Sequence, residues 1–256
     1  MSQAFDFDLG GLHLAICIPA YDGKVPTDQM VSLINTMTLC RAHGVATSVE
    51  IRAGSALIEK ARAELCNKVL YHTDATHLLM VDSDIVWEPE DAIRLLSFCT
   101  ELDAVCGPYQ TKEEDPDFHY ALEAGPDGRV VQNSYGLLKI KTAPLGFNCF
   151  KADALRKVSA EVGKELYFIP KRGEFKDEAV VALFHTELAT DSDGIQRFWG
   201  EDIAFYRRLA KCGLDAWVDP AIKLRHLGSK AYCSPYLDWV KAKNEARRID
   251  DVSEAA

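Results

Sequence analysis

The sequence has no apolar run long enough to form a membrane-spanning helix. No stretch of its 256 residues approaches the ~20 consecutive apolar residues that cross a bilayer. The first residues, MSQAFDFDLGG, contain acids and no basic cluster, which is not the pattern of a secretory signal. The hydrophobic content of 48% and the charged content of 27% are ordinary for a globular protein. We therefore expect a soluble, cytoplasmic protein without a transmembrane segment.

Positive charge is scarce relative to negative charge. The chain has 29 Lys and Arg residues against 39 Asp and Glu residues, a formal net charge of −10. This balance disfavours a broad nucleic-acid or anionic-membrane surface. A small basic group near the C-terminus is interpreted as a solvated helix face, and it alone keeps a nucleic-acid acceptor among the possible partners. It consists of Lys241, Lys243, Arg247 and Arg248.

Two motif classes are missing. The eight cysteines form no C-x-x-C pair, so neither a zinc site nor a disulfide framework is expected. Most of them have apolar neighbours and are interpreted as small buried hydrophobic residues in a reducing compartment. Neither G-x-G-x-x-G nor G-x-x-x-x-G-K occurs, which argues against a classical dinucleotide-binding fold and a P-loop nucleotide hydrolase.

The most informative stretch that is present runs from Thr76 to Glu90, THLLMVDSDIVWEPE. Its apolar residues 78–81 predict a buried central strand of a parallel sheet. Asp82 and Asp84 follow at the carboxyl end, where open α/β sheets bind ligands. Two carboxylates beside Ser83 predict a site for a hard cation, Mn²⁺ or Mg²⁺. The alternative is that Asp84 caps the next helix and Asp82 is merely solvated.

Strands and helices alternate through the first part of the chain. This order predicts parallel strands joined by right-handed crossovers. The first helix is predicted from apolar residues at near-helical spacing; they are Met30, Val31, Ile34, Met37 and Leu39. The predicted strands lie at 12–18, ended by Pro19, and at 46–51, 78–81 and 103–106; the predicted helices lie at 27–43, 56–71 and 89–102.

The second part of the chain is less regular. A second Asp-Ser-Asp, residues 191–193, has no apolar strand before it and is interpreted as a flexible loop without function. The predicted elements are a hairpin at 120–133, strands at 137–143 and 216–219, helices at 153–162, 203–211 and 236–249, and an irregular stretch at 167–198. We expect one catalytic domain over 1–235, with a nucleotide-sugar half at 12–112 and an acceptor half at 113–235, followed by a C-terminal helix and tail at 236–256.

Two further groups have chemistry that suits the carboxylate pair. His226, in a predicted loop after the last core strand, could supply a third ligand to Mn²⁺, although a lone histidine is usually structural. Glu201 and Asp202 could cap a helix, or Asp202 could act as a general base on a hydroxyl group. A metal ion on a leaving diphosphate and a carboxylate on an incoming alcohol are the groups that glycosyl transfer from a nucleotide sugar requires.

Several short stretches, in this order, resemble a GT-A-fold glycosyltransferase, closest to the family 2 type. They are IPAYDG, a helix with Arg62, LLMVDSDI, GPY, PLGFNCF, GEDIAFYRRLAKCGLDAWVDP and RHLG, and they span about residues 12–230. The resemblance implies an α/β fold with a GT-A-type (Rossmann-like), mostly parallel central sheet, flanking helices and a small antiparallel acceptor-side extension. The sequence departs from the family after the first strand. The family type commonly has Asn or Asp together with Glu at this place, whereas this chain has Asp22-Gly23.

The resemblance also implies roles for individual residues. Pro19, Tyr21, Asp22 and Arg62 would bind the nucleotide, Asp82 with Ser83 the ribose and diphosphate, and Asp82, Asp84 and His226 the metal; Gly146 and Phe147 would line the sugar and acceptor pocket, and Asp202, beside Glu201, would be the base. The implied donor is a nucleoside-diphosphate sugar, with a UDP-sugar favoured, and the implied cofactor is Mn²⁺ or Mg²⁺. The acceptor is a hydroxyl group of unknown class.

Other functions stay open at this point. An inverting reaction is expected if Asp202 is the base, and a retaining GT-A enzyme is the close alternative. A sugar-nucleotidyltransferase should carry a glycine-rich basic loop after the first strand, which IPAYDGKVP does not provide. A haloacid-dehalogenase-like phosphatase would place its D-x-D near the start of the fold. A transferase-derived binding module without turnover is the non-enzymatic alternative.

Overall fold

The computed structural model describes residues 7–191 and 193–253, with side chains described as far as residue 244. The helices are α1 (Thr27–Ala42), α2 (Ile58–His72), α3 (Pro89–Cys99), α4 (Ala152–Val162), α5 (Glu201–Lys211) and α6 (Tyr236–Ser253). The strands are β1 (His13–Ala20), β2 (Ala46–Ala53), β3 (His77–Val81), β4 (Ile85–Val86), β5 (Ala104–Cys106), β6 (Ala121–Leu122), β7 (Leu138–Thr142), β8 (Phe147–Lys151), β9 (Tyr167–Phe168), β10 (Val180–Val181), β11 (Glu187–Thr190), β12 (Gln196–Trp199), β13 (Ala216–Val218), β14 (Arg225–Leu227) and β15 (Ala231–Tyr232).

The central sheet has eight strands in the order β2-β1-β3-β8-β5-β13-β7-β6. Strands β7 and β8 run antiparallel to the strands on either side, and the other pairings are parallel. Helices α1 and α3 pack on one face of the sheet, and α2, α4 and α5 pack on the other, so two hydrophobic cores enclose it. The predicted α/β fold, with a mostly parallel central sheet flanked by helices, is confirmed; the assignment of this sheet to the GT-A type stays a prediction.

Strand β3 lies inside the sheet, as its sequence predicts. All five of its residues are buried, because helices cover both faces of the sheet. Its neighbour β8 is absent from the predicted elements. The apolar pattern of β8 is interrupted by Asn148, whose amide is nevertheless buried because it bonds Tyr206 and the backbone of Pro144. Because this polar residue interrupts the apolar pattern, the sequence does not predict the strand.

The first strand does not end before Pro19 as predicted but continues two residues further, to Ala20. Pro19 lies within β1 and pairs in register with Arg52 of β2. The pairing of β1 with β3 ends at Cys17. Only β2 therefore flanks the strand at Pro19, and the missing N–H of proline is tolerated there.

Several of the apolar residues that predict α1 lie on its exposed face. Val31 and Ile34 are 51% and 54% exposed. The opposite face makes polar contacts with Trp87, which lies between β4 and α3: Ser32 Oγ donates to Trp87 O at 2.6 Å, and Trp87 Nε1 donates to Thr36 Oγ1 at 2.8 Å. The buried residues of α1 are Gln29, Ser32, Leu33, Thr36 and Cys40.

Residues 167–198 contain two short antiparallel pairs, β9 with β10 and β11 with β12, which the sequence analysis does not predict within this least regular stretch. Asp191 and Asp193 lie in the turn between β11 and β12, where Gly194 N–H donates to Asp191 O at 3.0 Å. This placement agrees with the loop interpretation of the second Asp-x-Asp, whose Ser192 lies outside the described residues. The predicted hairpin at 120–133 closes through an isolated bridge between Ala124 and Val130.

His226 lies on a strand, not in the predicted loop. Strand β14 pairs with β4 and β15, and His226 stands opposite Ile85 and Tyr232. The short strand β4 follows Asp84 directly. This small sheet therefore holds His226 next to the carboxylate pair.

Three other sequence predictions concern the rest of the molecule. The prediction that most cysteines are small buried residues is confirmed, since Cys17, Cys40, Cys66, Cys99, Cys106 and Cys149 are all at most 1% exposed. Of the C-terminal basic group, the side chains of Arg247 and Arg248 lie outside the described residues. Within 7–191 and 193–253, no helix has the length and apolar character needed to cross a membrane.

Candidate active site

Charged side chains gather at the edge of the sheet where β1, β3 and β5 end. Asp82 and Asp84 follow β3, and α5 begins at Glu201. The backbone fixes Asp82 and Asp84 in place: Asp82 N–H donates to Gly146 O at 3.0 Å, and Leu227 N–H donates to Asp84 O at 2.8 Å. This edge is where open α/β sheets bind ligands.

Arg62 on α2 links Asp82 to Glu201. Its Nη2 donates to Asp82 Oδ1 at 2.7 Å, and its Nη1 donates to Glu201 Oε1 at 2.9 Å. The side chain is 3% exposed. Burial alone would lower the pKa of Arg62, but the attraction of Asp82 and Glu201 outweighs it and raises that pKa above its usual value. Arg62 therefore links the end of β3 to the start of α5, and both of its terminal nitrogens donate to protein carboxylates.

Gly146 allows Tyr109 and Asp82 to meet at one backbone position. Gly146 N–H donates to Tyr109 Oη at 3.0 Å. A Cβ at position 146 would stand 2.7 Å from Tyr109 Cζ and 3.0 Å from Asp82 Oδ2, too close for a side chain without a shift. The glycine is thus required by the packing around Asp82. Its implied role in lining a sugar pocket stays a prediction.

Phe147 occupies a different place from the one implied. Its side chain is fully buried, and its ring lies against Trp87 with 5.7 Å between the centroids. Phe147 therefore belongs to the core beneath the site, because β8 carries it into the middle of the sheet. Its lining of an open pocket is corrected accordingly.

Asp84 and His226 face each other. His226 Nδ1 lies 2.8 Å from Gln110 O, and His226 Nε2 lies 3.5 Å from Asp84 Oδ2. A carbonyl oxygen only accepts hydrogen bonds, so Nδ1 carries a proton. Nε2 faces the Asp84 carboxylate. An imidazole nitrogen and a carboxylate oxygen that face each other are both possible ligands of a divalent cation.

Lys112 supplies positive charge to this pair. Lys112 Nζ lies 2.5 Å from Asp84 Oδ2. Burial raises the pKa of Asp84, but hydrogen bonds and charges from His226 and Lys112 outweigh it and lower that pKa to about 2. Asp84 is therefore ionised throughout the physiological range and attracts cations strongly.

Asp202 lies at the start of α5. Its Oδ1 accepts a hydrogen bond from Ile203 N–H at 2.7 Å. Burial, and next the charge of Glu201, raise the pKa of Asp202 above its usual value, against the opposing effects of the Ile203 N–H and Arg62. The capping interaction and the raised basicity coexist, because a carboxylate at a helix N-terminus can still accept a proton.

The residues implied to bind the nucleotide base lie at the end of β1. Tyr21 is 68% exposed, so its ring is free to stack on a planar ligand. Asp22 Oδ1 accepts a hydrogen bond from Lys24 N–H at 3.0 Å, which stabilises the turn. Pro19 precedes this turn within β1, and Ser83 is half-buried between Asp82 and Asp84. Their contacts with a nucleotide stay predictions.

The metal-binding group differs from the implied set of three. Among residues 7–191 and 193–253, no three His, Cys, Asp or Glu side chains are grouped as metal ligands. Arg62 holds Asp82 Oδ1, whereas Asp84 Oδ2 and His226 Nε2 are 3.5 Å apart. One carboxylate and one imidazole, with positions left for phosphate oxygens and water, fit a Mg²⁺ or Mn²⁺ ion that binds together with a diphosphate.

The sequence analysis assigns no role to two residues of this site, Tyr109 and Lys112. Both follow β5 in the stretch GPYQTK, and Tyr109 also packs edge-to-face on His226, with 5.1 Å between the ring centroids. A signal for Lys112 exists in the sequence, since it follows the carboxyl end of a predicted strand. A cavity of about 530 Å³ lies elsewhere and is lined by residues of α5, β6 and β7.

No protein-family model and no curated protein matches this chain. Among solved structures, it is similar to the protein A197 from STIV, with TM-score 0.49, 16% identity and coverage of 85% of this chain and 86% of that chain. TarS 1-349 from S. aureus has TM-score 0.43 and 15% identity, with 87% of this chain and 60% of that chain covered. A mutant of a Drosophila beta-1,4-galactosyltransferase 7, in complex with manganese, UDP-Gal and xylobiose, has TM-score 0.40 and 12% identity, with 88% and 70% covered. These likenesses concern the fold, and activity has to be argued from the residues of this chain.

Proposed function

We propose that this protein is a glycosyltransferase that takes a sugar from a nucleoside-diphosphate sugar, with UDP-sugars favoured, and places it on a hydroxyl acceptor. The observation that carries the proposal is the Asp84–His226 pair, whose Oδ2 and Nε2 atoms lie 3.5 Å apart at the carboxyl edge of the sheet. This pair fits a divalent cation, Mn²⁺ or Mg²⁺. When bound there, the cation would offset the charge that develops on the departing diphosphate.

The charge balance of the site supports a cation requirement. Four carboxylates, those of Asp82, Asp84, Glu201 and Asp202, surround only two side-chain cations, Arg62 and Lys112. The carboxylates outnumber these two cations, so the cluster is net negative and would repel a diphosphate. A divalent cation held by Asp84 and His226 would offset this excess of negative charge at the place where the diphosphate has to bind.

The remaining roles follow from position. Tyr21 stacks on the base at the end of β1, and Asp202 removes the proton from the acceptor hydroxyl as the new bond forms. Arg62 keeps Asp202 at a fixed place relative to Asp82, because it ties the first residue of α5 to the end of β3. A base on the opposite side of the sugar from the diphosphate gives inversion at the anomeric carbon. The single-glycine turn Tyr21-Asp22-Gly23 favours this reaction over nucleotidyl transfer, which needs a glycine-rich phosphate loop.

Thermal unfolding with a panel of nucleoside diphosphates, with and without Mn²⁺, tests the proposal. UDP with Mn²⁺ is expected to stabilise the protein by about 2.7 kcal/mol at a hundred times Kd, which is about 5–10 °C for a chain of this size. UDP without metal should have little effect, and Asp84→Asn should remove most of the stabilisation. Asp193→Asn, in the second Asp-x-Asp at the hairpin turn, is the matched control and should respond as wild type. Stabilisation that needs no metal, or none across the panel, would count against the proposal.

A further inference from the structure

Lys112 occupies the side of Asp84 where a metal ion would bind. Its Nζ is 2.5 Å from Asp84 Oδ2, the same oxygen that lies 3.5 Å from His226 Nε2. A cation that contacts both Oδ2 and Nε2 would stand beside this ammonium group. Two positive groups at one carboxylate oxygen repel each other, so the ammonium and the metal compete for Asp84.

The Lys112 side chain is able to move, whereas Arg62 is not. Lys112 is 39% exposed and Arg62 is 3% exposed. The backbone next to Lys112 is fixed, since Thr111 N–H donates to Asp117 O at 2.9 Å and Gln110 Nε2 donates to Glu113 O at 3.1 Å. The flexible four-carbon stem can therefore swing about a fixed backbone position.

The stem of Lys112 lies along Gly228, next to His226. A Cβ at position 228 would stand 3.1 Å from Lys112 Cδ, so the glycine leaves room for the stem. The stem of Lys112 therefore lies beside the end of β14, the strand that carries His226, and its ammonium group contacts Asp84. An arriving diphosphate would offer this ammonium new acceptor oxygens a short distance away.

We propose that Lys112 is a positioning residue that guards the cation site: it pairs with Asp84 in the free protein and moves to the diphosphate when donor and metal bind together. This inference rests on the proposed function. The lysine would keep the site closed to free divalent ions and would then add a positive charge to the leaving group. Binding of metal and donor is then cooperative, because the diphosphate accepts the ammonium group that leaves Asp84 and the metal takes its place there.

The test measures the binding of Mn²⁺ alone to wild type and to Lys112→Met. Electron paramagnetic resonance monitors the concentration of the free ion. The variant is expected to bind Mn²⁺ about tenfold more tightly, because the competing ammonium is gone, and to bind UDP at saturating Mn²⁺ about tenfold more weakly, a difference of about 1.4 kcal/mol each way. Lys112→Arg, which keeps the charge, should stay close to wild type for Mn²⁺ alone. Thermal unfolding of each variant checks that it is folded.

Lys230→Met is the matched control. Lys230 also pairs with a carboxylate, Glu114, at 2.6 Å, but it does not contact Asp84. It should leave both affinities unchanged. If UDP binds wild type in a Mn²⁺-dependent way but Lys112→Met binds Mn²⁺ alone no more tightly, the inference fails while the proposed function stands. If UDP binds wild type without any metal, both the proposed cation requirement and the guarding role are overturned.

Discussion

Asp202 is a carboxylate whose surroundings make its charged form costly. Burial raises its pKa first and the neighbouring charge of Glu201 raises it further. A carboxylate of this kind binds protons more strongly than an exposed one, which is what a general base needs. The same shift fixes the direction of its pH response, since the folded protein favours the neutral form.

Asp202→Asn is expected to lower kcat by about 10²–10⁴-fold, the usual contribution of a general base, with little change in UDP–Mn²⁺ affinity. In wild type, kcat/KM should fall as pH drops through the raised pKa of Asp202, so the acid limb lies above the value of an ordinary aspartate. Glu201→Gln removes a like charge and should move that limb to lower pH. The measurement is kcat/KM against pH; a profile of Glu201→Gln that does not move, or moves upward, contradicts this assignment.

At the scale of elements, Arg62 ties α2, the end of β3 and the start of α5 to one another. The guanidinium is buried and each carboxylate is mostly buried. Loss of the arginine would leave two carboxylates without their cation in a poorly solvated place. The arrangement therefore contributes to stability and to the geometry of the site at once.

Arg62→Met is expected to destabilise the protein by about 3–5 kcal/mol, the cost of leaving buried ion partners uncompensated. The triple variant Arg62→Met, Asp82→Asn, Glu201→Gln should recover much of that loss. Urea unfolding measures both. Arg52→Met is the control. Arg52 lies in β2 and pairs with the buried Glu64, which is on α2 like Arg62 but outside the site. This variant should lose stability and keep UDP–Mn²⁺ binding. An unchanged urea midpoint for Arg62→Met would refute the prediction.

Helix α1 explains why part of this architecture is predictable and part is not. Its length and position follow from local sequence, and so do those of α5 and β3. Its buried face does not, because Ser32 and Thr36 are buried by hydrogen bonds to Trp87, a residue far along the chain. Periodicity counts apolar residues and gives no information on such partners. For the same reason the apolar pattern does not predict β8, whose second residue is the buried Asn148.

The candidate site divides in the same way. Asp82, Asp84 and His226 are recognisable because a strand and a resemblance place them. The partners of these residues depend on tertiary contacts across the molecule: Arg62 takes Asp82, and Lys112 takes Asp84. Sequence spacing predicts which residues reach the edge of the sheet, but it cannot predict which charges neutralise each other there.

At the scale of the whole molecule, helix α6 packs on the main core. Tyr236 is 1% exposed, and its ring lies 5.0 Å from Phe118 and 5.4 Å from Tyr120 between centroids. Trp239 stacks on Tyr236 at 5.6 Å. The predicted division between a domain ending at 235 and a separate tail stays a prediction, and these contacts supply a test of it.

Tyr236→Ala is expected to destabilise the whole protein by about 3–5 kcal/mol, as truncation of a buried aromatic side chain does. Leu237→Ala on the same helix is the control, because Leu237 is 41% exposed, and its cost should stay within about 0.5 kcal/mol. Both are measured by urea unfolding. Equal effects of the two substitutions would mean that α6 is an independent tail.

The central sheet cannot be completed until the antiparallel strand β8 has been synthesised. This strand fills the gap between β3 and β5, yet both of those strands precede it in the chain. Until Lys151 has left the ribosome, the strand leading to Asp82 keeps one edge unpaired, and such edges recruit other chains. A nascent chain that stalls near residue 112 would therefore expose an unpaired strand edge that can pair with other chains. A chaperone that covers this edge would protect the chain during this interval.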